Sequence, residues 1–348
     1  MPKPNYPTLA HVLQGTNQAL VREVVEGVAF EAPFFNMLPS QIIGGISFKQ
    51  KVRTSVPLIS AMPYNTGVPL IAQNYEMRSA ECYLYRSKFV IDKALLETDK
   101  QAAANLEADT LRGGMRGIMA TLEFSAFYGK AFSPYGMTGL VDTIGDYMTF
   151  SADPECKKSS TDDASVERKH EGASVWAVCL KPEMIRVIWG NSKAISFGNR
   201  REIDVPRQTI DGKDGLLPAV TRDVMFHVGL DQPDDYATAR IVNESDAHPL
   251  TDRMLADLVN TFPSGYTPDV IVMPRSTRRR LQEQRAQQFG YQKKTSGSTP
   301  YAQIPTDYDG IPIITSDALL EDETEENIAS LAKLTELRAK KNMYNLIN

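Results

Sequence analysis

Cysteine and histidine are scarce in this chain, and neither falls into a pattern that carries chemistry. The three cysteines, Cys82, Cys156 and Cys179, form an odd set with no C-x-x-C spacing. That argues against both a zinc site and a disulfide framework, and it favours a reducing compartment. The four histidines, His11, His170, His227 and His248, are scattered, with no H-E-x-x-H and no second His or Cys at ligand spacing, so a core or surface role is expected for each. A G-x-S-x-G elbow, a Walker loop and a dinucleotide fingerprint in its strand-to-helix context are all missing. No catalytic, cofactor or metal site is therefore expected from local motifs, although triads assembled from distant positions leave no such trace. No apolar run approaches the roughly 18 residues of a membrane span, and Met1-Pro2-Lys3-Pro4-Asn5-Tyr6-Pro7 carries no hydrophobic signal region. A soluble protein made in the cytosol, without a membrane partner, is the expectation. Positive charge is not in excess either: the formal net charge of -5 argues against a basic nucleic-acid-gripping surface while allowing brief contact.

What is present is enough apolar material for a sizeable core. With 348 residues and 42% hydrophobic content, the chain is expected to divide into two or more lobes. Its most informative stretch is 46–92. Phe48-Lys49-Gln50-Lys51-Val52-Arg53-Thr54-Ser55-Val56 alternates with a period of two, setting Lys49, Lys51 and Arg53 on one face and Phe48, Val52 and Val56 on the other. A second run, Glu81-Cys82-Tyr83-Leu84-Tyr85-Arg86-Ser87-Lys88-Phe89-Val90-Ile91, is rich in aromatic and β-branched residues. Between them lie Pro57, Pro63, Gly67 and Pro69. The pair reads as a long projecting hairpin. Such a hairpin is marginal in water and hazardous at its edges unless something covers it, either the chain's own sheet or a neighbour.

The longest helical signal follows, from about Asp99 to Tyr128. Leu111, Met115, Ile118, Met119 and Leu122 form its stripe, Glu97 and Asp99 favour its N-terminus, and Gly129 and Lys130 suit its C-terminus. At 1.5 Å per residue it would run roughly 45 Å. Gly113, Gly114 and Gly117 inside it each cost about 1 kcal/mol relative to Ala and imply a bend or a tight crossing. A phosphate-binding reading of Arg112-Gly113-Gly114-Met115-Arg116-Gly117 lacks the strand that must lead into it.

Residues 151–172 read as a polar surface excursion. Strand-like runs then fall at 175–180, 185–189, 219–228 and 236–242, with Asp211-Gly212 as a turn, which suggests an antiparallel β region. Helices at 250–262 and 276–288 alternate with strands at 270–273 and 311–315, suggesting a compact α/β lobe. The basic run Arg278-Arg279-Arg280 with Arg285 reads as a solvated helix face, with nucleic-acid contact as the alternative. A final amphipathic helix is expected from about Glu321, acidic at its start and carrying Arg338, Lys340 and Lys341 near its end.

The order of these elements resembles the tailed-bacteriophage major capsid proteins of the Hong Kong 97 fold. The resemblance is carried by the hairpin loop with Phe48-Lys49-Gln50 and Val56-Pro57-Leu58, the exit Val90-Ile91-Asp92-Lys93 into a spine-like helix, and Phe127-Tyr128-Gly129-Lys130 with Gly139-Leu140 after it. Val270-Ile271-Val272-Met273-Pro274-Arg275 and Gly310-Ile311-Pro312-Ile313 resemble that family's axial-domain strand, helix and return strand. The implied fold is α+β: an N-terminal arm at 1–44, an extended hairpin loop at 45–92, and the spine helix with its following turn at 93–150. A peripheral antiparallel β region at 151–245, an axial α/β domain at 246–320 and a C-terminal helix at 321–348 complete it. The strand-rich stretch precedes the axial-like lobe, so the order of those two is permuted relative to the familiar layout.

The resemblance implies assembly, with no reaction and no cofactor. Copies would form hexamers and pentamers, closing into an icosahedral shell around packaged double-stranded DNA touched weakly and non-specifically. Scaffolding, portal and decoration proteins are the other implied partners, with synthesis in the host cytoplasm and residence in the virion. The implied subunit-interface residues are Phe48, Lys49, Lys51, Arg53, Tyr83, Tyr85 and Arg86, the cations meeting acidic residues across the seam. An encapsulin-like compartment shell and a cytosolic α+β enzyme with a cryptic site are the alternatives.

Overall fold

A computed structural model describes residues 6–9, 12, 31–53, 59, 61–67, 74–98, 100–153, 172–208, 214–288 and 303–329. In chain order the elements are α1 (Pro33–Met37), β1 (Ser40–Ile42), β2 (Ser47–Arg53), β3 (Tyr75–Glu81), β4 (Tyr83–Asp92), α2 (Lys93–Thr98), α3 (Lys100–Phe132) and α4 (Leu140–Thr143). A 3-10 turn (Asp146–Met148) precedes β5 (Thr149–Ser151), β6 (Ala173–Val178), β7 (Arg186–Trp189), β8 (Ser196–Phe197), β9 (Arg201–Gln208), β10 (Asp214–Asp231) and β11 (Thr238–Glu244). Then come α5 (Asp252–Asn260), β12 (Val270–Met273), α6 (Arg275–Gln288), β13 (Asp307–Tyr308), β14 (Ile311–Thr315) and α7 (Glu325–Ala329).

The helix α3 forms where its stripe predicts. Leu111, Met115, Met119 and Leu122 are at most 2% exposed, each contributing roughly 1.5–3 kcal/mol of apolar burial. Near its C-terminal end it kinks at Gly129, whose φ of +45° only glycine adopts cheaply. There the backbone closes on Gly139, and the Asp142 carboxylate accepts the Lys130 and Gly139 amides at 2.9 Å each. Gly114 has a packing reason: a Cβ there would sit 1.8 Å from the Phe89 ring, so the missing side chain lets β4 press against the helix. Gly113 has open space around its would-be Cβ.

Two six-stranded sheets share the core. The first runs β1-β7-β10-β4, with β8 and β9 also on β10; the second runs β13-β14-β12-β6-β11-β5. Trp176 of β6 and Trp189 of β7 are both fully buried. Phe35 packs edge-on to Trp189 at 6.3 Å and Phe127 lies 6.0 Å from Trp176, so the α1–α3 layer joins the two sheets.

Several expectations need correction. The 81–91 run is not the second strand of the hairpin. It becomes β4, which pairs with β10 through ten residues from Tyr83↔Val228 to Asp92↔Ala219; its aromatic residues are spent on the core, with Tyr85 stacked on Phe226 at 5.8 Å. The hairpin partner of β2 is β3, in register from Ser47↔Glu81 to Arg53↔Tyr75. Residues 31–44, expected in an arm, are built into the body: Phe34, Phe35 and Leu38 are fully buried, and β1 pairs in parallel with β7.

The strand-rich stretch is not one antiparallel region, and strand pairing crosses the expected boundary at 245. β6 and β11 are buried along their whole length and need cover on both faces. They join β12 and β14 in the second sheet, with Val270↔Val178 opening the β12–β6 ladder. Of the strands between 151 and 245, β7 to β10 lie in the first sheet, beside β1 and β4. The permuted order therefore reflects an excursion: the chain enters the second sheet, leaves it for the first, and returns.

At the C-terminal end, α7 is described over Glu325–Ala329, and residues 330–348, with Arg338, Lys340 and Lys341, lie outside the described residues. So do Asp211-Gly212, most of the 151–172 excursion, and Thr54 to Leu58. What is described of this end docks at home. Glu323, 2% exposed, accepts from the Tyr128 hydroxyl at 2.6 Å and from Ser174 Oγ at 2.5 Å, and it forms an ion pair with Arg240.

Candidate assembly interface

The hairpin β2–β3 is a two-stranded sheet with two unlike faces. Register fixes them: Phe48↔Ala80, Gln50↔Arg78 and Val52↔Glu76 share one face, while Lys49↔Ser79, Lys51↔Met77 and Arg53↔Tyr75 share the other. Phe48, Gln50, Val52, Arg78 and Ala80 are half-buried; Lys49, Lys51, Ser79, Met77 and Tyr75 are exposed. Met77 is 64% exposed, and Lys51 Nζ sits 3.9 Å over the Tyr75 ring, a cation–π contact within the outward face.

The inward face is fastened to the body at its root by polar contacts. Gln50 Nε2 donates to both Asp231 oxygens at 3.1 and 3.2 Å. Arg186 Nε donates to Asp231 at 2.8 Å, and its NH2 donates to Gln50 Oε1 at 2.6 Å, with the guanidinium 4.5 Å over the Phe48 ring. Arg78 grips Asp235 through two nitrogens and donates to the Pro233 carbonyl at 3.2 Å. Burial pushes the Asp231 carboxyl up, opposed by Arg186 and Gln50. The body approaches closely here: a Cβ on Gly229 would lie 2.2 Å from the Glu81 carbonyl oxygen. Further along, a cleft of about 480 Å³ lined by residues including Met77, Arg78, Lys130, Thr143 and Gln232 separates β3 from the body.

The seven residues singled out from sequence fall in different places. Phe48 belongs to the root. Lys49 and Lys51 lie on the outward face, and Arg53 stands opposite Tyr75 at the end of the ladder. Tyr83 and Tyr85 are half-buried against the main core; the Tyr85 hydroxyl accepts the Met137 amide at 3.2 Å. Arg86 is exposed on the other face of β4, opposite Met225. Sequence reasoning missed Gln50, Arg78, Arg186, Asp231 and Asp235. Their significance lies in contacts spanning 45 to 181 residues of chain, which leave no local pattern.

The basic run on α6 is largely paired. Arg280 binds Glu244 at 2.6 Å and Asp246 at 3.1 Å, Arg279 binds Glu283 at 2.9 Å, and Arg285 binds Asp252 at 2.7 Å. The expected solvated face holds for Arg279 alone: Arg280 and Arg285 are half-buried and pin α6 to the body, Arg280 through the fully buried Glu244. Among the described residues no His/Cys/Asp/Glu group has the arrangement to hold a metal ion, and no helix is long and apolar enough to cross a membrane.

Comparison with known proteins bears on the whole arrangement. No curated protein matches the chain. Among solved structures, a chain of bacteriophage Epsilon15 is 15% identical, with 82% of this chain and 87% of that chain covered and a TM-score of 0.58. A chain of the bacteriophage JBD30 capsid is 9% identical over 80% of this chain and 88% of that one, with a TM-score of 0.44. A chain of a holo encapsulin complex from Synechococcus elongatus is 9% identical over 70% and 91%, with a TM-score of 0.39. The Epsilon15 likeness is one of fold, and the α+β architecture is that of the phage capsid, Hong Kong 97-type class. The model of the family described as Major capsid protein GP7 matches residues 36–327, from α1 through both sheets to α7, and the chain belongs to that family of structural, non-enzymatic capsid proteins.

Proposed function

We propose that the chain is the repeating shell subunit of a tailed-phage head, assembling into hexamers and pentamers that close into an icosahedral shell around double-stranded DNA. The observation that carries this reading is the hairpin: it is tied down at its root, and among the described residues Lys49, Lys51 and Met77 of its outward face stay exposed. A two-stranded ribbon of this kind gains stability by lying on a neighbour. In that arrangement Lys49, Lys51, Arg53 and Arg86 meet carboxylates across the seam, Phe48 sets the hairpin's root, and Tyr83 and Tyr85 hold β4 in place. The second sheet with α5 and α6 serves as the axial domain, and the first sheet with α3 as the peripheral one.

Contact with packaged DNA is weak and non-specific in this reading, in keeping with the net charge of -5 and the paired arginines of α6. Scaffolding, portal and decoration proteins are the further partners. Synthesis in the host cytoplasm precedes incorporation into the virion. Electron microscopy of the purified, expressed chain tests the proposal. Closed shells, tubes or capsomers are expected; a monomer or dimer under every assembly condition overturns it. DNA rather than cargo enzyme in native particles separates a virion shell from a compartment shell.

A further inference from the structure

Three tyrosines far apart in sequence meet on the body beside the hairpin root. Tyr147 in the 3-10 turn and Tyr236 before β11 have ring centroids 5.7 Å apart at 62°, and Tyr236 and Tyr266 lie 6.1 Å apart at 50°. Tyr147 is 50% exposed and Tyr236 38%. Their surroundings are acidic. Asp234 Oδ2 accepts the Tyr266 hydroxyl at 3.2 Å and its Oδ1 accepts the Tyr236 amide at 2.9 Å. Asp235 lies alongside, engaged by Arg78, and Asp146 is exposed at the head of the same turn. The charge of Asp234 pushes the Tyr266 hydroxyl up, and burial followed by the charge of Asp235 does the same to Tyr147.

Two exposed tyrosine rings and a half-buried third, beside Asp146 and Asp234 and next to the Arg78–Asp235 pair, have the composition of a binding hot spot for a cationic surface. The chain itself carries one such surface: the outward face of the hairpin, where Lys49 and Lys51 alternate beside Met77 and Tyr75. That face carries its own demonstration of the contact, in Lys51 over Tyr75. A subunit cannot satisfy its own patch with it. The root contacts of Gln50 and Arg78 turn the opposite, inward face of the hairpin to the body, so the cationic face looks away.

We infer that the Tyr147, Tyr236 and Tyr266 patch, with Asp146 and Asp234, is the seat on one subunit for the outward hairpin face of a second copy. This rests on the shell-subunit reading and names the receiving surface that the reading leaves open. Opposite charge sets orientation and speeds encounter, while the tyrosine rings and Met77 supply the desolvated contact.

The test compares assembled particles with unassembled subunits of the full chain by amide hydrogen exchange, alongside a Tyr147→Ser, Tyr236→Ser double variant. Residues 47–53 and 75–81 on the hairpin, and 146–148 and 234–237 on the body, are expected to gain protection together on assembly. The double variant is expected to keep the subunit's cooperative melting and to lose assembly yield by on the order of tenfold or more, as for the loss of a hot spot. Particles in which the hairpin is protected while the tyrosine patch exchanges at subunit rates overturn the inference. So does normal assembly of the double variant, or protection of the patch only when a scaffolding or decoration protein is added. Failure of the unaltered chain to assemble at all instead overturns the shell-subunit reading beneath it. If the double variant does not fold, the exchange comparison on the unaltered chain decides alone.

Discussion

Arg78 and Asp235 form a two-pronged ion pair, with NH1 2.6 Å from one carboxylate oxygen and NH2 3.2 Å from the other, and through it β3 is bolted to the β10–β11 connection. With side chains 32% and 47% exposed, the pair is screened by water and contributes about 1 kcal/mol or less to stability. Its greater effect is on orientation, because a fork-to-carboxylate contact fixes an angle as well as a distance.

Arg78→Ala is therefore expected to leave thermal stability almost unchanged while loosening the hairpin. Faster amide exchange across residues 47–53 and 75–81, together with slower or incomplete shell formation, would show it. Unchanged hairpin exchange would mean that the Gln50, Arg186 and Asp231 cluster holds the root unaided.

The two neighbouring glycines of α3 should respond in opposite directions. Gly114→Ala drives a methyl into the Phe89 ring and is expected to destabilise by about 1–3 kcal/mol, as overpacking does. Gly113→Ala meets nothing within 4 Å and should stabilise by about 1 kcal/mol through helix propensity. Chemical denaturation of the unassembled subunits measures both, and equal shifts of the same sign would refute the packing role assigned to Gly114.

Legibility in the sequence followed locality. The long helix could be read because Leu111, Met115, Met119 and Leu122 repeat at helical spacing, and the strands at 270–273 and 311–315 emerged with the bounds expected because they are short β-branched runs between turn residues. β3 could not. Tyr75-Glu76-Met77-Arg78-Ser79-Ala80-Glu81 has no β-branched residue, and its strand character comes from pairing with β2 and from Asp235, 157 residues beyond Arg78. Conversely, the 81–91 run was legible as a strand but not by partner, since aromatic and β-branched composition suits any half-buried ladder. The cationic positions of the hairpin were readable from alternation; the root that aims them, and the tyrosine patch, arise only when distant loops meet.

The buried Glu323 and Arg240 pair locks the C-terminal segment onto α3 and the second sheet. Arg240→Met strands a carboxylate whose remaining donors among the described residues are Tyr128 and Ser174, and it is expected to cost roughly 3–5 kcal/mol, the usual penalty for breaking a buried pair. Combining it with Glu323→Leu should cost less than Arg240→Met alone, because no uncompensated charge remains. A double variant less stable than the single one, in equilibrium unfolding, would contradict this.

Alkaline stability should depend on two cysteines. Burial pushes the Cys82 thiol up to about 11 and, with Asp269 contributing, the Cys179 thiol up to about 12, from an ordinary 9.0. Both folded values are raised, so their contribution is intact below pH 9 and is lost as pH rises, because the unfolded chain releases protons that the folded chain retains. Each thiol adds a slope of about 1.4 kcal/mol per pH unit across its window. The Cys82→Ala, Cys179→Ala variant should show a shallower fall in unfolding free energy between pH 9 and the folded values of about 11 and 12. An unchanged slope would place the alkaline loss elsewhere. At neutral pH the same thiols should resist alkylation in the native subunit.

Reversing charge on the outward hairpin face separates folding from assembly. Lys49 and Lys51 are both exposed, so Lys49→Glu with Lys51→Glu is expected to shift subunit stability by no more than about 0.5 kcal/mol per site, as surface changes do. The same substitution turns attraction for the acidic tyrosine patch into repulsion, and like charges brought together at an interface cost several kcal/mol. Folded subunits that sediment without shells are the expected result. A charge-independent hairpin contact would instead give intact particles at the normal yield, and raising the salt concentration distinguishes the two further: screening should weaken assembly of the unaltered chain if Lys49 and Lys51 work through charge, and should leave it untouched if only Met77 and Tyr75 matter.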